Sequence, residues 1–153
     1  MAKVRTRDGQ AELRTAVWIL HGSIDPLETL AACSAAGGMD RFAVRISGSA
    51  HRLPIEAHFI FSPSRPRDDA LLFRWTHVDA APLPSMTGTI TARRFGPLVM
   101  LSISAHYACG LDVPERLFFE AVGCRLARRT FAALRRALVH LLQHLPTRSM
   151  HEV

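Results

Sequence analysis

The stretch MTGTITARRFGPLVMLSISAHY, residues 86–107, decides the fold. Met86, Gly88, Ile90 and Ala92 alternate with Thr87, Thr89, Thr91 and Arg93. After Phe95-Gly96-Pro97, the residues Val99, Leu101, Ile103, Ala105 and Tyr107 alternate with Met100, Ser102, Ser104 and His106. A period of two means strands, because successive side chains leave opposite faces of the pleated backbone. The Gly-Pro turn folds the second strand back on the first. The result is an antiparallel hairpin with one apolar and one wet face.

The same period continues upstream. Ala70–Val78 sets Leu71, Phe73, Trp75 and His77 against Leu72, Arg74 and Thr76. Ile55–Ser62 sets Ile55, Ala57, Phe59 and Phe61 against Glu56, His58 and Ser62. The links SPSRPRDD and DAAPLPS are rich in proline and charge, as loops are. Four strands joined by such links form an antiparallel meander.

Downstream, the period changes to that of a helix. Asp112 and Glu115 form a capping box, with Pro114 in the first turn. Leu117, Ala121, Cys124, Ala127, Phe131, Leu134, Leu138, Leu141 and Leu145 recur at steps of three and four. Arg125, Arg128, Arg129, Arg135, Arg136, His140 and Gln143 occupy the opposite face, and Pro146 stops the helix. A curved sheet covered by one long helix can keep a cavity between the two layers.

The N-terminal part is shorter on signal. Residues 1–14 read as a loose leader, and Ala16–His21 (AVWILH) as a strand. Asp25-Pro26-Leu27-Glu28 starts a short helix, in which Asp25 caps free amides and Leu27, Leu30, Ala31 and Ser34 share a face. Gly37-Gly38 ends it, and Arg41–Ser47 alternates as a further strand. The expected organisation is a leader at 1–14, one domain at 15–146 and a tail at 147–153. The expected class is α+β, a curved antiparallel sheet of six strands wrapped around a long C-terminal helix.

Composition bounds the function. The chain has 153 residues and is 48% hydrophobic, a globular composition long enough for one core. No apolar run reaches the roughly 20 residues of a membrane-spanning helix, and no apolar signal core follows the polar start. A cytoplasmic location is expected. Cys33, Cys109 and Cys124 are odd in number and widely spaced, which points to buried thiols. The net charge of +6 is almost all arginine, with Lys3 the only lysine. The composition of a GC-rich genome accounts for that without any function.

These elements, in this order, resemble the START-like superfamily, also called SRPBCC or helix-grip. Arg74-Trp75, Gly88–Ile90 and Leu101–Tyr107 are similar to packing motifs of bacterial members of unknown role. The superfamily includes lipid-transfer proteins, polyketide cyclases and aromatases, and plant hormone receptors. The resemblance implies an apolar cavity between sheet and helix and a small hydrophobic or amphipathic ligand, such as a lipid. It implies no particular reaction. The chain departs from the family pattern in having six expected strands rather than seven. It also has one clear short helix after the first strand where two are common.

A ligand in such a cavity would meet Phe59, Phe73, Trp75, His77, Met86, Ile90, Leu101, Ile103, Tyr107, Phe118 and Phe131. Antiparallel pairing places Ile55, His77, Met86 and Tyr107 toward one end, near Glu115 and Phe118 of the helix. His77 and Tyr107 are the polar groups there. They are candidates for orienting a ligand, or for acid–base work in a cyclase or dehydratase. Hydrogen bonding to backbone or water is the plainer role for both. His140 and His144 have a metal-compatible spacing, but no third ligand accompanies them, so no metal and no cofactor is expected. The arginine face of the helix could meet an anionic surface, although a solvated face is the simpler reading. It lacks aromatics for stacking bases, and no nucleic-acid partner is expected. The sequence leaves the oligomeric state open.

Overall fold

The computed structural model describes residues 3–7, 10–20, 25–35, 40–46, 55–64, 69–78, 85–108 and 124–144. Strands β1 (Lys3–Arg7) and β2 (Gln10–Leu20) come first, followed by helix α1 (Pro26–Ala35). Then come β3 (Asp40–Ile46), β4 (Ile55–Pro63), β5 (Ala70–His77), β6 (Ser85–Phe95) and β7 (Leu98–Ala108). Helix α2 (Cys124–His144) completes the described elements.

The β6–β7 hairpin forms as its alternation demands. Met86 faces Tyr107, Ile90 faces Ile103 and Phe95 faces Leu98. Gly96 takes φ +58, a left-handed value that favours glycine in a tight hairpin turn. All seven strands pair antiparallel in the order β1-β2-β7-β6-β5-β4-β3. The sheet is therefore left open, with β1 and β3 as its edges.

The N-terminal reading is corrected here. Residues 1–14 are no loose leader: Lys3–Arg7 pairs with Gln10–Arg14, and β2 begins well before Ala16. The strand count rises from six to seven accordingly. The segment holds its place through backbone pairing with β2. A search for apolar alternation misses such a strand.

One face of the sheet is predominantly apolar. Leu13, Val17, Phe59, Phe61, Leu71, Trp75, Ile90, Leu101 and Ile103 are buried there in one cluster with Leu27 and Leu30 of α1. Helix α2 lies against the same cluster through Ala127, Phe131, Leu134 and Leu138. Its buried Thr130 donates to the Leu126 carbonyl at 2.9 Å, so the hydroxyl is satisfied within the helix. Arg125, Arg128, Arg129, Arg135, Arg136, His140 and Gln143 are exposed, as the periodicity requires. Helix α1 starts as expected, with the Leu27 amide donating to Asp25 Oδ1 at 2.8 Å. The expected helix start at Asp112, with Pro114, Glu115, Leu117, Phe118 and Ala121, lies outside the described residues.

Helix α2 touches both β2 and β3. Five strand spacings separate those strands, roughly 24 Å in the plane of the sheet. Twenty-one helical residues span roughly 30 Å. The helix thus crosses the hollow of the sheet from near one edge to the other.

Candidate functional site

Strand register sets the floor of the hollow in rows. Tyr107, Met86, Trp75 and Phe61 lie side by side on β7, β6, β5 and β4. The next row inward runs Ala105, Gly88 and Phe73. On the other side of the Trp75 row, His77 faces Phe59, which faces Phe42. Phe59 stacks on Trp75 at 4.9 Å between centroids with 7° between planes, and Phe42 tilts against the same indole at 5.7 Å. Offset stacking and tilted contacts of this kind are favourable for aromatic rings.

The expected lining residues are therefore brought together, but as a packed cluster. Phe59, Phe73, Trp75, Met86, Ile90, Leu101, Ile103, Tyr107 and Phe131 all belong to the buried core. Phe118 falls outside the described residues. His77 and Tyr107 share the inner face but not a neighbourhood. Two strand spacings and a two-residue offset hold their Cα atoms about 12 Å apart, with Met86 and Trp75 between. His77 is half-buried, with its ring 6.4 Å from Phe59. Trp75 is fully buried, and its Nε1 has no acceptor among the described residues. A buried indole N–H normally finds one.

A groove opens where edge strand β3 meets the C-terminal half of α2. Its volume is about 610 Å³, and Phe42, Ala43, Arg45, Ala133, Arg136, Ala137 and His140 line it. That volume suits a drug-sized molecule. Phe42 belongs to the inner face and connects the groove to the Trp75 stack. Ala43 and Arg45 alternate with it, so they reach the groove over the sheet edge. On α2, Ala133 and Ala137 sit four apart, as do Arg136 and His140. The pairs make a small apolar stripe beside a basic one. Among the described residues, no carboxylate lines the groove, and neither Arg45 nor Arg136 has an ion-pair partner. Glu56 stands opposite Arg45 in register and lies 3.8 Å from His58.

A curled antiparallel sheet that holds one C-terminal helix across its hollow is the helix-grip arrangement. No family model and no curated protein matches the chain. Three solved structures are similar. One is a START superfamily protein from Mycobacterium smegmatis, at 14% identity and TM-score 0.47, covering 88% of this chain and 99% of that one. The second is DynU16, a protein of the dynemicin biosynthetic locus, at 15% identity and TM-score 0.35, covering 84% of this chain and 48% of that one. The third is CalU16 from Micromonospora echinospora, at 11% identity and TM-score 0.33, covering 94% of this chain and 92% of that one.

The groove was not predicted from the sequence. Arg136 and His140 read as solvated helix positions, and Phe42 as an ordinary strand residue. The available signal was the pair Ala133 and Ala137 amid larger neighbours, because small residues on a packed helix leave room beside a neighbouring strand. No helix is long and apolar enough to cross a membrane, and no group of three metal-ligating side chains occurs among the described residues.

Proposed function

We propose that the protein binds a small amphipathic molecule, with its polar end in the groove between β3 and α2. The observation that carries this reading is the composition of the groove. An apolar strip of Phe42, Ala133 and Ala137 runs beside Arg45, Arg136 and His140, with no acidic counterpart among the described lining residues. Such a surface favours an apolar body bearing a carboxylate, sulfonate or phosphate, because a guanidinium pairs with these in a planar fork. The ligand's apolar end points toward Phe42 and the Trp75 stack. His77 and Tyr107 belong to the deeper face, as groups that orient a ligand reaching that far.

The test uses anilinonaphthalene sulfonate, an amphipathic anion that fluoresces in apolar sites. Ala137→Trp fills the groove, and Arg136→Glu reverses its charge. Each is expected to weaken probe binding by about tenfold or more, and the exposed Arg136→Glu should leave the thermal unfolding midpoint near the parent value. Equal binding by parent and both variants would overturn the assignment. In parallel, organic extracts of the purified protein, compared by mass spectrometry with those of the Ala137→Trp variant, would reveal a retained natural ligand.

A further inference from the structure

The outer face of the sheet carries a patch that ligand binding in the groove does not use. Trp18 is 54% exposed, Leu20 81%, Phe95 43% and Leu98 37%. Register brings them together: Leu20 faces Leu98, which faces Phe95, and Trp18 faces Met100, which faces Arg93. The Trp18 and Phe95 rings lie 5.4 Å apart, and the Arg93 guanidinium sits 5.4 Å from the Phe95 centroid. The next rows along the same face turn polar, through Ser102 and Thr91 to Ser104 and Thr89. Leu72 and Val78 are also exposed, but Leu72 stands beside Thr89 in these polar rows, so the contiguous apolar patch is the corner.

That corner stands clear of the rest of the sheet. The last pairing of β5 with β6 is Ala70 with Thr91, and β6 continues to Phe95 beyond it. On the other side β1 covers β2 only from Gln10 to Arg14. Contiguous exposed aromatics and leucines of this kind mark an interaction surface. The patch can be covered in three ways. Edge pairing of two β2 strands would extend the sheet and leave Trp18, Leu20, Phe95 and Leu98 bare. Stacking two copies face to face would set like charge against like charge, with the Arg93 side chains of the two corners in one contact. A lipid surface covers the corner without either penalty. Tryptophan and phenylalanine settle at headgroup depth, and arginine meets phosphate there.

We propose that the β2–β7–β6 corner docks the protein on an anionic lipid bilayer. Trp18, Leu20, Phe95 and Leu98 enter the headgroup layer, while Arg93, on the same face, meets the lipid phosphates. No carboxylate occurs in the two rows nearest the turn, and the whole chain carries +6. The protein is drawn to the surface by charge and held there by the apolar corner. The arginine face of α2 offers charge alone, since none of its large apolar side chains is exposed.

The full-length protein is mixed with phosphatidylcholine vesicles with and without phosphatidylglycerol, and binding is read by co-sedimentation. Trp18 supplies a second readout, because Trp75 is already fully buried and its emission is insulated from the solvent. Salt-sensitive binding to the phosphatidylglycerol vesicles is expected, with a blue shift of tryptophan emission. Trp18→Phe should keep the binding and lose the shift. Trp18→Ser with Phe95→Ser should weaken binding by about tenfold or more. Arg128→Glu with Arg129→Glu should leave the blue shift in place. The proposal is overturned by an absence of vesicle binding or by binding without the shift. A concentration-dependent dimer that Trp18→Ser abolishes would instead assign the corner to a second copy and overturn it as well.

Discussion

Gly88 shows how tightly single positions are set. It sits on the inner face between Phe73 on β5 and Ala105 on β7. A Cβ there would stand 2.9 Å from the Phe73 ring and closer still to the Ser104 carbonyl oxygen. The clash with backbone cannot be relieved by a rotamer change. Gly88→Ala is therefore expected to cost about 1–3 kcal/mol, read as a lower urea midpoint with an unchanged slope. On the opposite face, Glu12 accepts from Arg14 Nε at 2.7 Å and from the Ser104 hydroxyl at 2.9 Å. These bonds favour the charged form, so the Glu12 pKa lies below its ordinary 4.5, the Arg14 bond first and the Ser104 bond second. The folded state thus holds this carboxylate ionised more firmly than the unfolded chain does. The stabilisation is present above about pH 4.5 and fades as pH falls through the lowered native value. In Glu12→Gln the acid limb of the stability curve should be shallower by a small amount, because the pair is exposed. A limb of unchanged slope would remove Glu12 from the acid response.

At the scale of elements, α2 stands on its buried stripe. Leu134 is fully buried against the sheet side of the core, so Leu134→Ala is expected to cost about 2–5 kcal/mol by denaturant titration. That stripe was legible in the sequence because helical spacing is a local property, and so were β4 to β7, whose side chains alternate without interruption. β1 was not legible. Its place rests on hydrogen bonds to β2, and polar Lys3–Arg7 carries no pattern that distinguishes an edge strand from a tail. The outer corner left one trace, the run Ala16–Leu20, where alternation fails. A strand apolar on both faces has two faces to cover. Its second face became visible only when register set Leu98 and Phe95 beside it.

Across the whole molecule, the expected inner residues of the candidate site lie where alternation put them, yet the groove that gives the site an opening lay beyond sequence reasoning. It is made by β3 and the far half of α2, elements separated by most of the chain, and no local period reports their distance. The order of the sheet has a further consequence, for the birth of the protein. Every strand neighbour but one follows its partner directly in the chain; the exception joins residues 11–20 of β2 to residues 98–107 of β7. A contact between such distant segments closes slowly, since the loop entropy is paid before the pairing rewards it. During synthesis, the inner edge of β2, with its run of Val17, Trp18, Ile19 and Leu20, waits until residue 107 has left the ribosome. Until then it has only water, or another chain, to bond with.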